Sequence, residues 1–156
     1  MKNTNLSKIK IEINFNNNTK YKAWNSELEF YLEESLSWET IKENSIASFE
    51  NILIRITNPK FAKKHYLFLR NANFLLFEQV MKINTLSSNE IYVERASKQK
   101  DNKDFSELNN KISYLNHSQK LNPSLETLIE INQLNFDLYK FSKISEFNLR
   151  KGDGDE

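Results

Sequence analysis

Glycine is almost missing from this chain: of 156 residues only Gly152 and Gly154 are glycine, both in the closing stretch KGDGDE. Loops that bring the backbone close to a phosphate, and turns with positive φ, draw on glycine because it has no Cβ to clash. A Walker loop, a dinucleotide fingerprint and a kinase glycine loop are therefore excluded as usually written. Cysteine is absent altogether. That removes a disulfide framework, a thiolate nucleophile and a cysteine zinc site. Histidine is limited to His65 and His117, far apart in the sequence and too few for a histidine-rich metal site.

Charge of one sign is also missing. Twenty-two Lys and Arg stand against twenty-one Asp and Glu, a formal net charge of +1. Duplex-binding proteins show a basic stripe because counterion release drives their affinity. Here Lys and Glu are interspersed, so composition speaks against nucleic acid as a partner. No apolar run reaches the ~20 residues of a membrane span, and MKNTNLSKIK has no apolar core behind its lysines, so neither a membrane partner nor a signal peptide is expected. The expected compartment is the cytoplasm.

What the chain does have is an ordinary domain's worth of apolar material: 38% hydrophobic residues, with eleven Phe, six Tyr and two Trp. Ile9, Ile11, Ile13 and Phe15 alternate with polar residues and predict a strand with one buried face. Asn16–Asn18 reads as a turn. Ser26 and Glu29 have capping-box spacing, which predicts a helix presenting Leu28, Tyr31 and Leu32. Ser37 is expected to cap a second helix through Trp38 and Ile41. Ile52, Ile54 and Ile56 predict a strand that stops before Pro59.

Tyr66–Leu69 reads as a short strand, and Phe74, Phe77, Val80 and Met81 share one helical face, predicting a helix to Ile83. Glu90–Arg95 reads as a strand, residues 97–107 as a polar loop, and Leu108–Leu115 as a short helix or strand. Pro123 and Ser124 stand at a helix start. The apolar spacing from Leu125 through Phe141 predicts a closing helix over about residues 124–144. Strands alternating with helices suggest an α/β fold, a small mixed sheet with flanking helices and a long C-terminal helix. Residues 1–150 are expected to form a single domain and residues 151–156 a disordered acidic tail.

No complete catalytic or metal motif emerges. His117 beside Ser118 has no identifiable orienting partner. Glu27, Glu29, Glu33 and Glu34 read as a solvated helix face. Basic clusters fall at Lys60, Lys63, Lys64, His65 and Arg70, and at Arg95, Lys98, Lys100 and Lys103, and are expected to be solvated too. Tyr66, Phe68, Phe74 and Phe77 next to Lys63, Lys64 and Arg70 could stack single-stranded bases, but aromatics at these spacings read as core.

The C-terminal half resembles the end of the carbohydrate sulfotransferases. YLNHSQKLNPSLETLIEINQLNFDLYKFSKISEF (114–147) is similar to that family's closing segment, with Asn132, Leu134, Asn135, Leu138, Tyr139 and Phe141 on its final pattern. YLFLRNANFLLFEQVMKI (66–83) followed by EIYVER (90–95) is similar to the strand, helix and strand before it. The resemblance, over about residues 60–148, implies sulfuryl transfer from phosphoadenosine phosphosulfate (PAPS) to a carbohydrate hydroxyl. It offers Arg70, in Leu69-Arg70-Asn71, as the one candidate cofactor-binding residue. The family's donor loop has no counterpart, Ala72 replaces a proline, and Glu78 stands where a serine belongs. The resemblance therefore implies a domain that is incomplete or inactive alone, whose partner would be a carbohydrate acceptor. A small non-enzymatic protein-interaction module, such as an inhibitor, immunity-type or regulatory binder, is the alternative.

Overall fold

The structure, a computed structural model, describes residues 8–98 and 105–152. The chain divides into two compact units, Met1–Glu94 with Arg150–Glu156, and Arg95–Leu149.

The first unit is built from strands: β1 (Ile9–Asn14), β2 (Lys20–Leu32), β3 (Ser37–Glu39), β4 (Ser45–Thr57), β5 (His65–Phe77), β6 (Val80–Asn84) and β7 (Tyr92–Glu94). Five of them close into a barrel. β1 pairs with β2, β2 with β4, β4 with β5 and β5 with β6, all antiparallel, and β6 returns to β1 in parallel. The parallel seam follows from counting. Each antiparallel step reverses direction, so the first and fifth strands of a meander point the same way and can pair only in parallel. Closure also leaves these five strands without an open edge along the ring.

The barrel interior holds Ile11 and Ile13 from β1, Ile52, Ile54 and Ile56 from β4, Leu67, Leu69 and Phe74 from β5, and Met81 and Ile83 from β6, none more than 2% exposed. Full burial of each such side chain contributes about 1.5–3 kcal/mol. That term, summed around a ring, outweighs local helix signals of about 1 kcal/mol.

The expected α/β fold is therefore corrected to a mostly-β one. Ser26 and Glu29 do not open a helix. Ser26 is fully buried inside β2, and its hydroxyl donates to the Trp24 carbonyl at 3.0 Å. The spacing Leu28, Tyr31, Leu32 hid a second reading, in which Leu28 and Phe30 alternate inward. Ser37 starts β3, not a helix. The helix expected over Phe74–Ile83 is a hairpin: β5 runs to Phe77, Glu78 and Gln79 turn at φ 49 and 63, and β6 begins at Val80. The strands at Ile9–Asn14 and around Ile52–Ile56 are where the alternation placed them.

Asparagine takes over glycine's role. Eight described non-glycine residues have positive φ, and five are Asn: Asn18, Asn25, Asn44, Asn71 and Asn148. Asn is among the residues that tolerate the left-handed region best. The consequence is clearest at Asn25. Ile9 faces Ser26 and Ile11 faces Ala23, so Trp24 and Asn25 together oppose Lys10 alone. This bulge shifts the inward phase of β2 from Tyr21 and Ala23 to Ser26, Leu28 and Phe30.

The second unit is a pair of helices, α1 (Ser106–Leu121) and α2 (Leu125–Glu146), joined by a three-residue turn and bridged by Lys111 and Glu130 at 3.6 Å. The closing helix starts within a residue of where it was expected, and Ser124 caps it, its side chain accepting from the Thr127 N–H. Part of the expected loop, residues 99–104, lies outside the described residues. A last strand, β8 (Leu149–Lys151), neighbours β7, and the Gly152 N–H donates to the Ile91 carbonyl at 2.8 Å. Of the expected tail, 153–156 lie outside the described residues.

Candidate binding face on the barrel exterior

Because the barrel interior is filled with apolar side chains, whatever the first unit binds must meet its outer surface. Alternation sets what stands there. On β1 the outward residues are Lys10, Glu12 and Asn14. On the first half of β2 they are Lys20, Lys22 and Trp24, and on β6 Val80, Lys82 and Asn84. Four lysines against one glutamate give these three adjacent strands a local net charge of +3.

Register lines these residues up in rows across the barrel. One row runs Lys22, Glu12, Lys82, Leu75, Ile46, each the Cα partner of the next. The row beside it runs Lys20, Asn14, Asn84, Asn73, Ser48. Within it Asn14 Nδ2 donates to Asn84 Oδ1 at 3.1 Å, and the Ser48 hydroxyl donates to Asn73 Oδ1 at 2.7 Å. On the other side of the charged row, the bulge sets Trp24 against Lys10, Lys10 pairs with Val80, and Val80 pairs with Phe77. The face thus carries a lysine-bearing row between a row of amides and a row that begins and ends with an aromatic ring.

The aromatic rings are presented to solvent. Trp24 is 59% exposed and Phe77 55%. Ile46 and Leu75, side by side at the end of the charged row, are also exposed. Lys10 Nζ lies 5.4 Å from the centre of the Trp24 ring and 3.1 Å from Glu12 Oε1. The Lys10 hydrogen bond holds the Glu12 carboxyl below its ordinary range against a smaller opposing effect of burial, and the charges of Lys10, Lys22 and Lys82 add to it. Glu12 is thereby kept as an anion among cations.

The residues singled out from sequence lie elsewhere. Tyr66, Phe68 and Phe74 are buried; of that quartet only Phe77 reaches the face. Tyr66 and Phe68 belong to an aromatic layer on the outside of β4 and β5, where Trp38 meets Tyr66 and Tyr92 meets Phe68 edge-on. Glu29 pairs with Arg55 within that layer, and Glu33 and Glu34 are exposed beyond the end of β2. His65 is buried, its Nδ1 2.9 Å from the Tyr21 hydroxyl and its ring stacked on Phe61 at 3.9 Å. His117 is exposed on α1. Of the basic clusters, Lys100 and Lys103 lie outside the described residues.

Arg70 is half-buried on β5. Its backbone N–H donates to the Ser87 hydroxyl at 2.6 Å, and its carbonyl accepts from the Thr85 hydroxyl at 2.7 Å. A polar cleft of about 430 Å³ lies among Asn17, Asn89, Glu90, Ile91 and Lys151, with Glu90 and Lys151 3.4 Å apart within it. Among the described residues no group of three or more His, Asp or Glu could hold a metal ion, and no helix is long and apolar enough to cross a membrane.

Sequence comparison matches the same barrel. The family model described as the UU051 N-terminal domain covers residues 10–90, more than half of the chain and all five barrel strands apart from Ile9. The chain belongs to the UU051 family. It is also 24% identical over 152 residues to Uncharacterized protein UU051 of Ureaplasma parvum serovar 3, across 94% of this chain and 89% of that protein. These findings correct the sulfotransferase resemblance. Membership of the UU051 family takes its place, and the strand-helix-strand element on which it leaned is a β-hairpin. The cofactor role offered for Arg70 loses the support of that resemblance.

In the sequence of the UU051 barrel the face is masked for a specific reason. Lys20, Lys22 and Trp24 do alternate with Tyr21 and Ala23, a period-2 signal cut short at the bulge. Lys82 falls within the apolar spacing that predicts a helix, and the structure places it on β6. Only the parallel β1–β6 seam brings it beside Glu12.

Proposed function

We propose that this UU051-family chain is a non-enzymatic interaction module that docks an anionic macromolecular partner on the outer face of β2, β1, β6 and β5. One observation carries the reading: four lysines converge on a face whose margins expose Trp24 and Phe77. Contiguous exposed apolar groups rimmed by polar residues mark interaction sites, as Phe77, Leu75 and Ile46 do here beside the lysines, and aromatic residues supply contact area at small cost in side-chain entropy. We place this docking in the cytoplasm.

Charge reversal tests it. The variant Lys22→Glu with Lys82→Glu should elute from immobilised heparin at clearly lower salt than the unaltered chain. Lys111→Glu, on α1 in the other unit, should elute almost unchanged. Equal elution of all three proteins would count against the face.

A further inference from the structure

We infer that the partner is single-stranded nucleic acid, laid across the rows with its backbone on the lysines and two of its bases stacked on Trp24 and Phe77. This rests on the docking reading above and names the chemistry of what docks.

The lysines require an anion, yet they do not by themselves distinguish a polyphosphate chain from an acidic protein. The aromatics make that distinction. Trp24 and Phe77 sit at opposite ends of one row, three strand spacings apart, or roughly 14 Å, with Lys10 and Val80 between them. Two rings separated in this way, each more than half exposed, offer two stacking platforms, the one at Phe77 flanked by the exposed Leu75 and Ile46. A base has a π-face whatever its identity, and stacking on aromatic side chains is how single strands are held without sequence preference. Paired bases keep their faces inside the duplex, so such platforms are of use only to an unpaired strand.

The spacing of charge fits as well. Lys20 and Lys22 are two residues apart on one strand, about 6.8 Å. Lys82 lies two strands across from Lys22, with Glu12 between them. An extended phosphate chain can follow such a run, and Glu12 sits at its centre as the element that limits affinity. The amide row supplies what an acidic peptide would not need. Asn14, Asn84 and Asn73 present both donors and acceptors, the combination that base edges display.

The test is a fluorescence-anisotropy titration of the full chain with four labelled probes: a twelve-nucleotide single strand of DNA, its RNA equivalent, a duplex of the same sequence, and a polyglutamate peptide of twelve residues. The single strands should bind most tightly. Their affinity should fall with salt at a slope near −2 to −3 on logarithmic axes, as expected for about three or four phosphates at ~0.7 each. Trp24→Ala and, separately, Phe77→Ala should each weaken single-strand binding on the order of ten-fold with the salt slope kept. Lys82→Gln should instead reduce the slope by about 0.7. Circular dichroism confirms that each variant is folded.

Polyglutamate bound as tightly as the single strands would overturn the nucleic-acid inference while leaving the docking face standing. Duplex bound as tightly as single strand, or aromatic variants without effect, would also overturn it. Binding of none of the probes, together with no retention on heparin, would remove both readings.

Discussion

The side-chain amide of Asn58 donates to the Trp24 carbonyl at 2.7 Å, reaching back from the end of β4 to the bulge in β2. The same amide nitrogen lies 2.7 Å from the Ser26 hydroxyl oxygen, and its Oδ1 accepts from the Lys60 N–H at 2.8 Å. Asn58 is buried, as is Ser26. A bulge leaves an extra residue unpaired in the ladder, and here side chains satisfy the carbonyl that would otherwise be orphaned. Trp24 is the last outward residue before the bulge, so a buried asparagine just past the end of β4 holds the backbone that carries an exposed aromatic on β2.

Asn58→Ala should therefore cost about 1–3 kcal/mol, the range for stranding a buried polar group. It should also loosen Trp24. Urea unfolding followed by circular dichroism measures the first effect. The second appears as greater access of Trp24 to iodide quenching under native conditions, with Trp38 as the internal reference. A variant as stable as the parent would mean that the network contributes nothing to the bulge.

The hairpin between β5 and β6 makes a different prediction. Glu78 and Gln79 both hold positive φ, the pattern of a two-residue type I′ turn, whose favoured residues are Asn and Gly. Neither residue suits that conformation, so the turn stores strain. Replacing them together, Glu78→Asn with Gln79→Gly, should raise stability by about 1 kcal/mol and the unfolding midpoint by roughly 2–4 °C for a chain of this size. Differential scanning calorimetry decides it. An unchanged or lowered midpoint would show that the turn is held by something other than its own dihedral preference.

Arg55 links the strands on the side of the aromatic layer. Its Nε and Nη2 both reach Glu29 Oε1, at 3.1 and 2.9 Å, and its guanidinium carbon lies 4.0 Å from the centre of the Trp38 ring. Lysine would keep the charge but lose the planar stacking surface and one of the two bonds. Arg55→Lys should destabilise by about 1 kcal/mol and shift Trp38 emission to the red. Unaltered emission would argue that the guanidinium does not cover the indole.

How much of this could be read beforehand follows from where the local signals agree with the global fold. Ile9–Phe15 was legible because its alternation is unbroken, and Leu125–Phe141 because cap and apolar spacing coincide. Lys20–Leu32 was not, since the bulge at Asn25 breaks period 2 in mid-strand and leaves Ser26 and Glu29 imitating a helix start. Phe74–Ile83 was not, because its turn lacks the residues that announce one. The candidate face was least legible of all. Its lysines alternate with core residues and read as ordinary solvated positions, until a parallel seam between the first and last barrel strands sets Lys82 beside Glu12 and Lys22.

Two buried phenols set the alkaline limit of the fold. Burial pushes the Tyr66 hydroxyl up to about 12, and the Glu94 carboxylate, accepting its hydrogen bond at 2.5 Å, adds to the shift. Burial pushes Tyr21 up as well, beyond Tyr66. In the unfolded chain both ionise near 10. The folded state therefore holds these protons more tightly than the unfolded one. Below about pH 10 both states are protonated and the full stability is present. Above it the unfolded state loses its protons first and stability falls, until Tyr66 itself ionises in the folded state near 12. The unfolding free energy should decline between about pH 10 and 12, by up to about 1.4 kcal/mol per pH unit for each tyrosine. Urea midpoints at pH 8, 10, 11 and 12 trace the decline, and Tyr66→Phe should flatten it by as much as one proton's share, whatever the variant's stability at pH 8. A Tyr66→Phe slope equal to the parent's would place the alkaline sensitivity in some other group.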